Sequence, residues 1–122
     1  MRALVVDDSR ATRAILRRIL EQLDYEVVEA ADGREGLEAW RGDPTIGLAL
    51  VDWNMPVMNG LELVRAIRAE ETSGRVVIVM VTTEGDTDHI LTALDAGADE
   101  YAMKPFTAAV IAEKLELLGV KS

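Results

Sequence analysis

Leu48-Ala49-Leu50-Val51-Asp52-Trp53-Asn54-Met55-Pro56 is the stretch that decides the fold. Its first four residues form an unbroken apolar run, the mark of a strand buried on both faces of a parallel sheet. The run stops at a carboxylate, and open parallel sheets present their chemistry just outside the carboxyl ends of their strands. Three other segments end the same way. Leu4-Val5-Val6 runs into Asp7-Asp8, the run at 76–81 runs into Thr82, and Tyr101-Ala102-Met103 runs into Lys104-Pro105. Three acids, one hydroxyl and one amine at strand ends read as a single site.

The segments between these strands have helical periodicity. Strands are predicted at 3–6, 26–30, 47–51, 76–81 and 101–103. In the first intervening stretch Ala11, Ile15, Leu16, Ile19, Leu20 and Leu23 make an apolar stripe. Arg10, Arg13, Arg17 and Arg18 lie opposite as a solvated face, and Asp8 or Ser9 caps the start. Further helices are predicted at 33–40 behind Asp32, at 60–69 behind Asn59, at 87–96 before Gly97, and behind Thr107. Leu61, Val64 and Ile67, with Leu63 as a further candidate, face inward from the third; Val110, Ile111, Leu115 and Leu118 do so from the last. In the fourth, either Ile90 or the neighbouring Leu91 and Leu94 define the inward stripe. Five strands alternating with five helices imply right-handed crossovers and an α/β, doubly wound parallel sheet covered on both faces. The second strand carries Glu26 and Glu29 among its apolar residues, which marks it as an edge.

Composition narrows the function. With 122 residues, 49% of them hydrophobic, residues 1–122 fit one domain, with no separate output domain expected. Cysteine is absent, which removes disulfides and thiolate metal sites and suits a cytoplasmic protein. A net charge of −9 argues against nucleic acid as a partner. The first strand starts almost at Met1, and no apolar run is long enough to span a bilayer, so neither a signal peptide nor membrane insertion is expected.

Carboxylates gathered in one cleft repel each other, so they need a cation or must take up protons. Mg²⁺ suits so few protein ligands, because it keeps several waters and leaves room for phosphate oxygens. Asp8 and Asp52 are the expected direct ligands, with Asp7 holding a coordinated water and the Asn54 backbone carbonyl completing the set. Asp52 can attack phosphorus to give an acyl phosphate. Lys104, a compact point charge, and the Thr82 hydroxyl would then each take one phosphoryl oxygen. Taken singly, Asp7-Asp8 is an ordinary helix cap, Lys104 a surface lysine and Thr82 a turn cap. Their joint placement is what carries the argument. The Lys104–Pro105 bond is one at which the cis form is accessible.

Val6-Asp7-Asp8-Ser9, Asp52-Trp53-Asn54-Met55-Pro56 with Asn59-Gly60, Val81-Thr82, and Lys104-Pro105-Phe106 together resemble the receiver domain of two-component response regulators. The match covers essentially the whole chain and is most similar to stand-alone chemotaxis members. It implies the flavodoxin-like (βα)5 fold with strand order 2-1-3-4-5. It also implies a single-domain switch in which a histidine kinase donates a phosphoryl group to Asp52 in a Mg²⁺-dependent reaction. Thr82 and Tyr101 are then the switch residues. Asn54 and Glu84, two positions after Asp52 and Thr82, flank the path of the hydrolytic water and match the pattern of rapid self-dephosphorylation. Output to a downstream protein target is expected from the face of the fourth helix, fifth strand and fifth helix, through Ile90, Tyr101 and Lys114, with the protein a monomer. Asp86 and Thr87 depart from the basic residues common in flagellar members, a departure that bears on motor binding and not on phosphorylation. The switch only assists its own phosphorylation and dephosphorylation and is not an enzyme.

Other readings fit less well. A phosphohydrolase of the haloacid-dehalogenase type needs a second acid two residues after the nucleophile, and Asp7-Asp8 lacks that spacing. A flavodoxin-like cofactor carrier needs a Ser/Thr/Gly-rich phosphate loop where Asp7-Asp8 stands. A phosphorelay shuttle to a histidine phosphotransfer domain and a pseudo-receiver that binds partners unphosphorylated are the nearer alternatives. His89 is read as solvated near the start of an exposed helix, and not as a phosphoacceptor. Met55, Met58, Met80 and Met103 are read as packing. Trp53, next to Asp52, should report on metal or phosphate by fluorescence, with Trp40 as background.

Overall fold

A computed structural model describes residues 1–120, apart from the Arg75 side chain. β1 (Arg2–Val6), β2 (Glu26–Ala30), β3 (Ile46–Val51), β4 (Val77–Thr82) and β5 (Glu100–Met103) form one parallel sheet in the order 2-1-3-4-5. α1 (Arg10–Gln22), α2 (Gly33–Gly42), α3 (Gly60–Arg68), α4 (Thr87–Ala96) and α5 (Ala108–Leu117) alternate with the strands. A short 3-10 turn, Glu71–Arg75, precedes β4. The predicted elements are all present, with strand limits displaced by about one residue. The most polar strand, β2, is the edge beside β1, as its glutamates indicate.

Period-two alternation along the strands sorts their side chains into two cores. Leu4, Val6, Ala49, Val51, Ile78 and Met80 face α2, α3 and α4, where Leu37, Trp40, Leu63, Val64 and Ile67 meet them. Ala3, Val5, Leu48, Leu50, Val79 and Val81 face α1 and α5, against Leu16, Ile19, Leu20, Ile111 and Leu115. Within the helices the inward stripes are narrower than predicted. Ile15 is 54% exposed and Ala11 is also exposed, so α1 packs through Leu16, Ile19 and Leu20. Leu63 is fully buried while Leu61 is only half-buried, and Val110 lies largely outside the core. A helix lying on a flat sheet buries a narrower arc than one packed among other helices.

The arginine face of α1 is only partly solvated. Arg10 and Arg18 are exposed, but Arg13 pairs with Glu29 at 3.1 Å and donates to the Asp7 carbonyl at 2.7 Å. Arg17 pairs with Glu29 at 3.0 Å and donates to the Val27 carbonyl at 2.7 Å. The edge strand supplies both the acid and the unpaired carbonyl, and the two arginines cover it.

Helix starts follow the sequence. Ser9, Asp32, Asn59, Asp86 and Thr107 each accept a backbone N–H as the N-cap, with a full capping box at Asn59 and Glu62. Because Ser9 caps α1, Asp8 stays out of the cap and free for other work. Gly97 ends α4 at φ 119°, a conformation strained for any residue with a side chain. Gly60 has no substitute for a different reason: its N–H donates to the Trp53 carbonyl at 2.8 Å, and a Cβ there would collide with the Asp52 carbonyl.

Candidate functional site at the carboxyl end of the sheet

Parallel ladder bonds carry the strand geometry one step past the last strand residues. The Asp7 N–H donates to the Ala30 carbonyl, the Asp52 N–H to the Val6 carbonyl at 2.9 Å, and the Lys104 N–H to the Thr82 carbonyl at 2.9 Å. The backbone therefore fixes Asp7, Asp52 and Lys104 at the sheet's carboxyl edge before any side-chain contact forms. β1 and β3 are neighbours from which the chain winds in opposite directions, so Asp7-Asp8 and Asp52 flank the switch point of the sheet.

One carboxylate oxygen from each of Asp7, Asp8 and Asp52 lies within 4.8 Å of the other two. Asp7 is 1% exposed and Asp52 7%, whereas Asp8 is open to solvent. Lys104 Nζ lies 2.7 Å from Asp7 Oδ2 and 3.3 Å from Asp52 Oδ2. The other oxygens are held by backbone: Asp7 Oδ1 accepts the Ser9 N–H at 2.9 Å and Asp52 Oδ1 the Trp53 N–H at 2.8 Å. Burial and the neighbouring Asp7 charge push the Asp52 carboxyl above its ordinary pKa, with Lys104 and the Thr82 hydroxyl pulling it back. For Lys104, burial works against the charged form, but the hydrogen bond to Asp7 and the charge of Asp52 outweigh it, leaving the ammonium's pKa raised. The Lys104–Pro105 peptide is cis.

The structure thus gathers Asp7, Asp8, Asp52 and Lys104, and sets the fully buried Thr82 at the adjacent strand end. It also joins two residues that the sequence names separately: Asn54 Nδ2 donates to Glu84 Oε1 at 2.7 Å, linking the β3–α3 and β4–α4 loops. Tyr101 is 6% exposed and points inward, its hydroxyl donating to the Glu84 carbonyl. Burial, with the charges of Glu84, Asp86 and Asp52 behind it, raises the Tyr101 phenol to about 12.

The expected output residues are not an exposed set. Tyr101 is buried, Ile90 is half-buried against the α2–α4 core, and Lys114 pairs with Glu100 at 3.7 Å. Ile90 rather than Leu91 or Leu94 therefore faces inward. The apolar surface beside it comes from Leu91, Leu94 and Met103, which are 58%, 40% and 41% exposed. Met103 is thus not core packing, whereas Met80 is buried and Met55 and Met58 lie against the core. His89 is a second correction. Its ring and that of Trp53 form a T-shaped pair, with centroids 4.8 Å apart, and Nδ1 lies 2.8 Å from the Asp86 carboxylate. Its position three residues after the N-cap Asp86 was the only sequence signal of that pairing.

Comparison with known proteins agrees with this geometry. The response regulator receiver domain model matches residues 3–116. Chemotaxis protein CheY1 of Helicobacter pylori is 44% identical over 119 residues, covering 97% of this chain and 96% of that protein. The CheY homolog of Campylobacter jejuni is 45% identical over 124 aligned positions, covering 100% and 95%. Among solved structures, CheY4 of Vibrio cholerae superposes with a TM-score of 0.89 at 33% identity, over 96% of this chain and 97% of that one. CheY in the CheX–CheY–BeF3–Mg complex of Borrelia burgdorferi superposes with 0.92 at 25% identity, over 99% and 90%. The chain belongs to the response regulator receiver domain family. Within that family it is a CheY-like receiver of two-component signalling.

Proposed function

We propose that this chain is a phosphorylation switch, not an enzyme, whose phosphoacceptor is Asp52 and whose donor is a histidine kinase. The observation that carries the reading is the cluster of Asp7, Asp8 and Asp52 oxygens within 4.8 Å, with the Lys104 ammonium on two of the three acids. An Asp52 oxygen attacks phosphorus, the bond from phosphorus to the donor imidazole nitrogen breaks, and the departing ring keeps its electron pair and takes a proton. The product is an acyl phosphate on Asp52.

The donor set fits Mg²⁺: all ligands are hard oxygens, and the solvent-exposed Asp8 leaves space for waters. Asp8, Asp52 and the Asn54 carbonyl would hold the ion, with Asp7 acting through a coordinated water. When bound, Mg²⁺ neutralises charge on the phosphoryl oxygens. Lys104 and the Thr82 hydroxyl meet two further oxygens as the group arrives. The new dianion draws Thr82, which sits beside the Tyr101 strand, and biases the population of inward Tyr101.

Output is then a protein target on the α4–β5–α5 face, read by a monomer in the cytoplasm. Leu91, Leu94 and Met103 give that face an apolar surface. Among the described residues no helix is long and apolar enough to cross a membrane. The Asn54–Glu84 pair favours a short-lived signal, which suits direct partner binding over onward phosphoryl transfer. Trp53 fluorescence tests the site: Mg²⁺ and then beryllofluoride should each change the emission of the wild type, while Asp52→Asn should lose the beryllofluoride response. An unchanged wild-type signal would count against the reading.

A further inference from the structure

We propose that His89 is a positioning residue for loss of the phosphoryl group from Asp52: its ring fixes the Glu84 carboxylate across the mouth of the acidic pocket and so governs entry of the hydrolytic water. This rests on the phosphoacceptor reading of Asp52.

The geometry divides the two Glu84 oxygens between two partners. Oε1 accepts from Asn54 Nδ2 at 2.7 Å, and Oε2 lies 3.5 Å from His89 Nε2. Asn54 and Glu84 each stand two residues beyond Asp52 and Thr82, so their bond bridges the rim between those strand ends. His89 is itself held on two further sides. Nδ1 lies 2.8 Å from both Asp86 oxygens, and the ring edge or face meets Trp53 at an interplanar angle of 68°. Asp86 also accepts the His89 backbone N–H at 2.8 Å, so the capping residue of α4 orients the imidazole as well as starting the helix.

The arrangement has a consequence for protonation. With Nδ1–H given to Asp86, Nε2 can donate toward Glu84 only in the imidazolium; the neutral ring turns a lone pair toward that carboxylate. Glu84, Asp86 and Asp88 are the charged groups facing the ring from the β4–α4 loop and the start of α4. The β3–α3 loop brings Trp53 and Asn54, both uncharged. Asp86, through its hydrogen bond, holds the imidazole above its ordinary pKa. Below that value the bridge is clamped; above it Glu84 is released. In hydrolysis, water oxygen attacks phosphorus, the acyl oxygen–phosphorus bond breaks, and the Asp52 carboxylate is restored while phosphate and a proton leave. Held by Asn54 alone, Glu84 leaves that water its path; clamped by His89 as well, it narrows the approach.

The test is the phosphoryl lifetime of the full chain, loaded with phosphoramidate in Mg²⁺ and followed by intact mass from about pH 6 to about pH 9. The wild type should shorten its lifetime about fivefold across that range, the scale of one lost partly exposed ion pair. His89→Gln and His89→Phe should both load fully and decay quickly with a flat profile. Unphosphorylated wild type gives a second readout: an imidazolium quenches an adjacent indole, so Trp53 emission should rise with the same midpoint, and Trp53→Phe should lose that step. A flat wild-type profile, or variants that keep the wild-type step, would overturn the role of His89. A chain that takes no phosphoryl group under any condition would overturn the reading of Asp52 itself, and the intact mass separates the two failures.

Discussion

At the residue scale the acidic pocket works against folding until it is filled. Asp7 and Asp52 are both buried and close, and the Lys104 ammonium, two backbone N–H groups and the Thr82 hydroxyl offset them in part. The sign of the pH effect follows from the raised Asp52 pKa. An acid whose folded pKa lies above its unfolded value holds its proton longer in the native state, so stability falls as pH climbs from the unfolded value through the folded one. Asp52→Asn should therefore raise the denaturation midpoint at neutral pH without divalent ions and flatten that acid-side slope. Lys104→Ala should do the opposite, costing about 3 kcal/mol by stranding buried carboxylates, and Mg²⁺ should recover more stability in that variant than in the wild type. Urea titrations of the three proteins with and without Mg²⁺ check both. If Asp52→Asn destabilised the metal-free protein, the electrostatic account of the pocket would be wrong. Asp7, Asp8, Asp52, Thr82 and Lys104 were legible because each ends an apolar run. His89 was not, because its partners Glu84 and Trp53 come together only when two loops meet above the sheet.

At the scale of elements, the loop from β3 to α3 carries both the Asn54 carbonyl proposed as a metal ligand and a strained residue. Val57 has φ 69°, a region that a β-branched side chain occupies only under constraint. It is 75% exposed and so buries little in return. The loop is pinned on both sides: the Gly60 N–H bonds the Trp53 carbonyl, and the Met58 carbonyl accepts the Gly33 N–H at 3.0 Å. Val57→Asn, which tolerates the left-handed conformation, should stabilise the protein by about 1 kcal/mol. A thermal melt checks this, and a lower melting temperature for Val57→Asn would argue against strain at that position. Nothing in the sequence marks Val57, since left-handed geometry is imposed by the two anchored ends rather than by the residue. The paired Arg13 and Arg17 escaped notice for a similar reason. Helical periodicity assigns them to an outer face, and only the position of the edge strand turns that face into a contact.

At the scale of the molecule, alternation of apolar runs and amphipathic stretches was enough to predict a doubly wound parallel sheet, because such strands need cover on both faces and five are too few to close a β/α barrel. The order 2-1-3-4-5 is less accessible to periodicity and came from the family resemblance. That order places β1 and β3 side by side and so brings Asp7, Asp8 and Asp52 to one rim. The same sheet sets Thr82 opposite Met103, which puts the Tyr101 strand directly beside the hydroxyl proposed to meet a phosphoryl group. Site and proposed output face are thus joined by one β-ladder and by the Glu84 segment, whose side chain meets Asn54 and whose carbonyl meets Tyr101.

The most direct measurement of that account is the intact mass of the protein after incubation with acetyl phosphate. One phosphoryl group should be gained in the presence of Mg²⁺, none after chelation, and none in Asp52→Asn. Full labelling of Asp52→Asn, or labelling of the wild type that ignores Mg²⁺, would contradict it.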